Sequence, residues 1–215
     1  SGADVVVLEK SPESLKGGNT TYTHGSIRFA YKDAKDIQAI IPELADEELK
    51  NIDFGTYAEE EFFDDMCRVT NYRTDVELAS ILTSESFPTM KWLTTHQIKF
   101  IPIYGRQAYK IDGRFQFWGG VVLESVGGGQ GLVNKLHERA LSLGIQILYE
   151  SPAISLLTDD HGITGVVYKQ NGIRKEVHAK AVIMASGGFH ANIAMRTKYL
   201  GSNWDLAHTR GSRFN

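Results

Sequence analysis

Gly2-Ala3-Asp4-Val5-Val6-Val7-Leu8-Glu9-Lys10 is the stretch whose reading decides the fold. Val5 to Leu8 is a short, mostly β-branched apolar run, which suits a parallel strand covered on both faces. The run ends on an acid, Glu9. A carboxylate at the carboxyl end of such a strand is placed to accept two hydrogen bonds from ribose hydroxyls, as in dinucleotide-binding folds. In those folds a glycine turn lies roughly 20 residues before the acid. Counting back from Glu9 runs past Ser1, so the chain is expected to lack its own first βα unit.

After the polar residues 11–16 come Gly17-Gly18-Asn19-Thr20-Thr21. Two glycines, an amide and two hydroxyls in succession offer backbone N–H groups and small donors, either as a cradle for a diphosphate or as a surface turn. Residues 24–30 are expected to open a helix under a ligand, and 31–55 to be loop with short helix. Residues 57–70 read as an amphipathic helix with Phe62, Phe63, Met66 and Val69 near one face and a solvated acidic face. Asp75 reads as the N-cap of a longer helix carrying Leu78, Ile81, Leu82, Phe87, Met90, Trp92 and Leu93, kinked or divided at Pro88.

Residues 99–103 read as a strand and 108–117 as a hairpin turned at Asp112-Gly113. Gly119-Gly120 and Gly127-Gly128-Gly129-Gln130-Gly131 follow, then an amphipathic helix stopped by Gly144 and a strand at 145–149. We read 131–149 as a βαβ-type half-unit. Residues 154–179 read as a three-stranded antiparallel meander. Ala181-Val182-Ile183-Met184-Ala185 reads as another buried parallel strand running into Ser186-Gly187-Gly188-Phe189, with a helix over 191–200.

Composition narrows the class. A chain of 215 residues with 42% hydrophobic residues can build one good core. No apolar run approaches the roughly 20 residues of a membrane span. A formal charge of −3 gives no electrostatic footprint for nucleic acid. The single cysteine, Cys67, cannot form an internal disulfide, which fits a reducing compartment and a packing role. The histidines show no ligand spacing, so no metal site is expected. The 21 glycines cluster, as they do where backbone comes close to a ligand.

Four features stand in fixed order: a strand ending Leu8-Glu9-Lys10, then Gly17-Gly18-Asn19-Thr20, then Gly127-Gly128-Gly129-Gln130-Gly131-Leu132-Val133, then Ala185-Ser186-Gly187-Gly188-Phe189-His190-Ala191-Asn192. All can meet at the carboxyl edge of one parallel sheet, where open α/β sheets bind ligands. With the final Arg210-Gly211-Ser212-Arg213-Phe214-Asn215, these residues resemble the flavoprotein subunits of the fumarate reductase and succinate dehydrogenase superfamily. Within it the chain is most similar to the FAD-dependent tricarballylate dehydrogenases.

The resemblance implies roles residue by residue. Glu9 would bind the adenosine ribose, with Lys10 and Ser11 beside it. Gly17, Gly18, Asn19 and Thr20 would lie along the pyrophosphate and flavin edge. Thr23, His24, Gly25 and Ser26 would face the isoalloxazine. Ala153 or Ile154 would touch the adenine, and Ala185, Ser186, Gly187 and Gly188 would approach the FAD backbone. In membrane-bound relatives FAD is attached to a histidine. The matching position, six before Gly25, is Asn19, which cannot make that bond. Non-covalent FAD is therefore expected, with His24 as a flavin hydrogen-bonding or packing residue. Arg210 and Arg213 would clamp a tricarboxylate or form salt bridges, and Arg28, Arg106 and Arg114 are weaker candidates. Tyr104, Tyr109, Phe117 and Trp118 would wall the substrate side or pack the core. The catalytic residues are expected beyond the end of the chain.

The expectation is thus an α/β fold of the two-dinucleotide FAD/NAD(P)-binding type. Its FAD-binding domain would comprise 1–30 and 119–215, interrupted by a mostly helical insertion with a hairpin at 31–118. The implied reaction desaturates a small polycarboxylate such as tricarballylate by hydride transfer to flavin N5. The alternatives are reduction of an unsaturated carboxylate, ketosteroid-type dehydrogenation, or a truncated fragment without activity. A small carboxylate substrate and a separate electron-acceptor protein are the expected partners, in the cytoplasm.

Overall fold

A computed structural model describes residues 2–215 of the chain. It is a mixed α/β structure that divides into two compact units, Ser1–Tyr22 with His137–Asn215, and Thr23–Leu136.

In the first unit the strand Val6–Leu8 pairs in parallel with Gln146–Leu148, in the register Val7 to Ile147. The pairing continues past the strand ends: Glu9 N–H donates to the Leu148 carbonyl (2.9 Å) and Ser151 N–H to the Glu9 carbonyl (2.8 Å). The parallel strand is therefore as expected, but its burial is not. Val5 and Val7 are 45% and 40% exposed, because the strand is paired along one edge only among the described residues. The meander forms as Ala153–Asp159, Gly162–Gln170 and Ile173–His178, all antiparallel. Asn171 and Gly172 turn its second hairpin with φ of 51° and 79°, as a tight turn of mirror-image type requires.

Residues 181–185 correct the sequence reading. They are not a strand, and Ile183 is 91% and Met184 64% exposed. A β-branched run forms a strand only where a neighbour supplies a ladder, and no described segment pairs with this one. The helix Ile193–Leu200 follows, with Asn192 Oδ1 accepting from Met195 N–H (3.0 Å) as its N-cap.

The second unit holds the main core. Phe29, Ile37, Phe54, Tyr57, Met90, Val121 and Leu123 are essentially fully buried. Around them lie the helices Ala34–Ile40, Glu59–Val69 and Val76–Thr95. One antiparallel sheet orders Ser26–Arg28, Val122–Ser125 and Phe100–Pro102. A mixed sheet joins Ile52–Asp53 in parallel to Arg114–Phe117, which pairs antiparallel with Ala108–Ile111 through the hairpin at Asp112-Gly113.

Two expectations fail here. The segment expected to begin a helix at 24–30 is the strand Ser26–Arg28, held by Val122–Ser125. The helix Val76–Thr95 runs through Pro88 unbroken, and its buried residues are Ala79, Thr83, Ser86 and Met90. Leu78, Ile81, Leu82 and Trp92 are exposed instead. Two of the four buried residues are polar, and one of them, Ser86, accepts the Ala30 N–H at Oγ (2.9 Å), which satisfies a buried donor. The half-unit expected at 131–149 does form, as the helix Gly128–Ser142 followed by the strand Gln146–Leu148, which pairs in parallel with Val6–Leu8. The helix follows an antiparallel strand, Val122–Ser125, and leads past Gly144 to Gln146–Leu148 in a different sheet.

Candidate functional site

Within the first unit the residues singled out in the sequence meet on one short segment, 212–215. Lys10 Nζ donates to the Phe214 carbonyl (2.8 Å). Asn19 Oδ1 accepts from Ser212 N–H (2.8 Å), and its Nδ2 donates to His190 Nε2 (2.8 Å). Asn215 Nδ2 reaches the Ser186 carbonyl at 3.4 Å. Gly187 has φ +70°, a conformation that favours glycine, and a Cβ there would meet the movable end of the Asn215 side chain, with Nδ2 at 2.6 Å. Stretches near positions 10, 19 and 187 are thus joined by hydrogen bonds.

Glu9 and Ser11 sit beside this junction. Ser11 N–H donates to Glu9 Oε1 (2.7 Å), which fixes the carboxylate and leaves its other oxygen without a partner among the described residues. Ser11 is 2% exposed, yet its Oγ has no hydrogen-bond partner. A buried hydroxyl without a partner costs about 1–3 kcal/mol unless something satisfies it. The Gly17–Thr20 region is the 3-10 helix Gly18–Tyr22 and not an open loop, with Gly18 facing open space and Thr20 exposed. Ala153 and Ile154 open the meander and are exposed. Ala185, Ser186 and Gly188 lie in the exposed extended segment. Arg210 is exposed, and Arg213 stacks over Phe214 at 5.4 Å. Neither arginine pairs with a carboxylate among the described residues.

In the second unit, 23–26 is fastened from three sides. Gly129 N–H donates to the Thr23 carbonyl (3.0 Å), Ser125 N–H to the Gly25 carbonyl (3.0 Å), and Gly25 N–H to Thr23 Oγ1 (3.0 Å). Gly25 has φ +69°, and a Cβ there would lie 2.1 Å from Ser125 Oγ and 2.8 Å from the Gly128 carbonyl carbon. Only glycine fits this close packing against the helix start. Ser26 is exposed at the head of its strand. His24 is exposed and accepts from Arg106 Nη2 at Nε2 (2.9 Å). Tyr104 and Phe117 pack in the core, ring against ring at 5.5 Å, while Tyr109 and Trp118 are exposed.

Two functional-looking groups escaped the sequence reading. Arg196 is 5% exposed. Its Nη1 bonds the His190 carbonyl and Thr209 Oγ1, and its Nε has no partner. Its position at helical spacing carried no signal, since an arginine on a short helix reads as solvated. His137 stacks on Tyr149 and shares a hydrogen bond with its hydroxyl (3.1 Å). Burial, with Lys16 nearby, lowers the His137 pKa. Among the described residues no group of histidine, cysteine, aspartate or glutamate could hold a metal ion, and no helix is long and apolar enough to cross a membrane.

These features can be set against known proteins. The fold matches solved 3-ketosteroid dehydrogenases and a fumarate reductase. The 3-ketosteroid Δ1-dehydrogenase of Sterolibacterium denitrificans superposes over 100% of the chain and 48% of its own, with a TM-score of 0.76 at 15% identity. The open conformation of a flavocytochrome c3 fumarate reductase covers 98% of the chain and 38% of its own, with a TM-score of 0.64 at 17% identity. By sequence, the urocanate reductase of Eggerthella lenta is 27% identical over 210 residues, 93% of the chain and 30% of that protein. The 3-oxosteroid 1-dehydrogenase of Comamonas testosteroni is 37% identical over 75 residues, 34% of the chain and 13% of that protein. The chain therefore spans less than a third of the curated relatives it matches. The class these comparisons define is that of FAD-binding proteins. More closely, the model of the FAD binding domain family matches residues 1–209, and the chain belongs to that family. Its cofactor is FAD. The residues present fit it: Ser11 offers a buried unsatisfied hydroxyl, Glu9 a free carboxylate oxygen, and Gly18 an open approach.

Proposed function

We propose that the chain binds FAD non-covalently and supplies the cofactor side of an enzyme that desaturates a small polycarboxylate such as tricarballylate. The observation that carries the reading is the junction on 212–215, where Lys10, Asn19 and Ser186 come together beside Glu9. In the proposal Glu9 takes the adenosine ribose, with Lys10 and Ser11 beside it. Gly17, Gly18, Asn19 and Thr20 follow the pyrophosphate, and 185–188 lie along the FAD backbone. Ala153 or Ile154 touches the adenine through backbone. The loop 23–26 faces the isoalloxazine. The FAD-binding domain comprises 1–30 and 119–215, and 31–118 is the insertion. FAD, when bound, supplies the two-electron acceptor for hydride removal. The chain's own residues hold and orient it. Arg210 and Arg213, having no acid partner, are available to bind substrate carboxylates through charge-assisted hydrogen bonds. A separate protein would serve as the electron acceptor.

A second reading keeps the fold and reverses the reaction. The urocanate reductase match over 210 residues favours reduction of an unsaturated carboxylate. One experiment decides. The whole enzyme to which the chain belongs, loaded with FAD, is mixed anaerobically with tricarballylate in the oxidised state, and after dithionite reduction with fumarate, urocanate or a 3-ketosteroid. Bleaching of the oxidised flavin bands by tricarballylate is expected. Reoxidation by urocanate or fumarate without that bleaching supports the second reading. A response only to the steroid overturns both.

A further inference from the structure

We propose that Arg106 is a substrate-carboxylate anchor and that His24 is its positioning residue. This deepens the functional reading above and rests on it. A guanidinium usually faces a carboxylate. Here the hydrogen-bond partner of Arg106 is an imidazole nitrogen, His24 Nε2, at 2.9 Å. Because arginine only donates, Nε2 is the acceptor in this contact. The contact uses one of five N–H donors and cancels none of the charge. No carboxylate lies within ion-pair distance of Arg106 among the described residues. The result is an exposed cation, oriented but not neutralised.

Both partners stand on a rigid frame. The backbone on either side of His24 is fastened through the Thr23 and Gly25 carbonyls and the close Gly25 packing. Arg106 lies on the short helix Tyr104–Gln107. Gln107 Oε1 accepts the Val122 N–H at 2.8 Å, which ties that helix to the strand that pairs with Ser26–Arg28. Tyr104 locks the helix from the other side, with its ring 5.0 Å from Phe115 and 5.5 Å from Phe117. A guanidinium oriented by this hydrogen bond on a fastened backbone has less rotamer entropy to lose when a planar carboxylate binds.

The test measures binding directly, by titrating the FAD-loaded protein with tricarballylate and following the perturbation of the flavin absorbance. Arg106→Gln should weaken binding at least about tenfold, the usual consequence of losing a charged hydrogen bond. Its FAD content should match the unsubstituted protein, and Arg106→Lys should recover part of the affinity. His24→Leu should weaken binding several-fold. His24→Gln, whose amide oxygen can stand where Nε2 stood, should restore it. Unchanged tricarballylate affinity in Arg106→Gln overturns the proposal, as does loss of FAD from that variant, which would assign Arg106 to the cofactor. Failure of the unsubstituted FAD-loaded protein to bind any carboxylate overturns the polycarboxylate reading itself, and the anchor with it.

Discussion

Single residues carry two of the tests. Glu9 accepts one hydrogen bond inside the chain and keeps an oxygen for a ligand. Glu9→Ala should therefore weaken FAD retention by about tenfold or more while leaving the melting temperature of the FAD-free protein within a few degrees. Equal FAD affinity in a fluorescence-quenching titration would remove Glu9 from the site. Gly25 makes the opposite kind of claim. A methyl group there would be forced onto Ser125 Oγ and the Gly128 backbone at positive φ. Gly25→Ala should destabilise the second unit by about 2 kcal/mol or more in urea unfolding. A smaller loss would show that the loop and the helix start can separate freely. Glu9 could be read from the sequence because an acid closing a β-branched run has few other uses. Arg106 carries only a weak signal in the sequence, since its contact with His24 lies 82 positions away in the chain.

At the scale of elements, local signals served well where an element's partner is near in sequence. Asp75 caps its helix through Leu78 N–H, Asp112-Gly113 and Asn171-Gly172 turn their hairpins, and Gly144 stops the helix before it. Asn192 reads in the sequence as part of a glycine motif and proves to be an N-cap. Asn192→Ala should cost about 1 kcal/mol of stability, measurable in urea. Signals failed where strand pairing is remote. Residues 24–30 have an apolar spacing that a helix could use, and Val122–Ser125, almost a hundred positions on, makes part of them a strand. The same reasoning explains 181–185, whose pattern is that of a strand but which has no ladder among the described residues. His137 adds a pH effect on the helix Gly128–Ser142. Its folded pKa is lowered, so the folded state takes up its proton less readily than the unfolded chain. Its contribution is fully present above the ordinary value of 6.5 and declines as pH falls through and below it. His137→Gln should flatten the pH dependence of the melting temperature below pH 6.5, and an unchanged profile would contradict the assignment.

For the whole molecule, the glycine clusters announced a ligand-binding protein, and the order of four motifs announced its cofactor. The packing of 212–215 against Lys10, Asn19 and Ser186 was not announced, because it depends on side-chain amides whose reach no pattern encodes. The substrate is written more faintly than the cofactor for a physical reason. Backbone that cradles a diphosphate needs glycine at set places, whereas a carboxylate can be met by any well-placed arginine. The central claim is that stretches near positions 9, 18 and 187 hold a single FAD. Hydrogen–deuterium exchange with and without FAD tests it most directly. The account predicts that amides at 9–11, 17–20 and 185–188 gain protection together at saturating FAD. Protection of only one of these stretches, or of none, would contradict it.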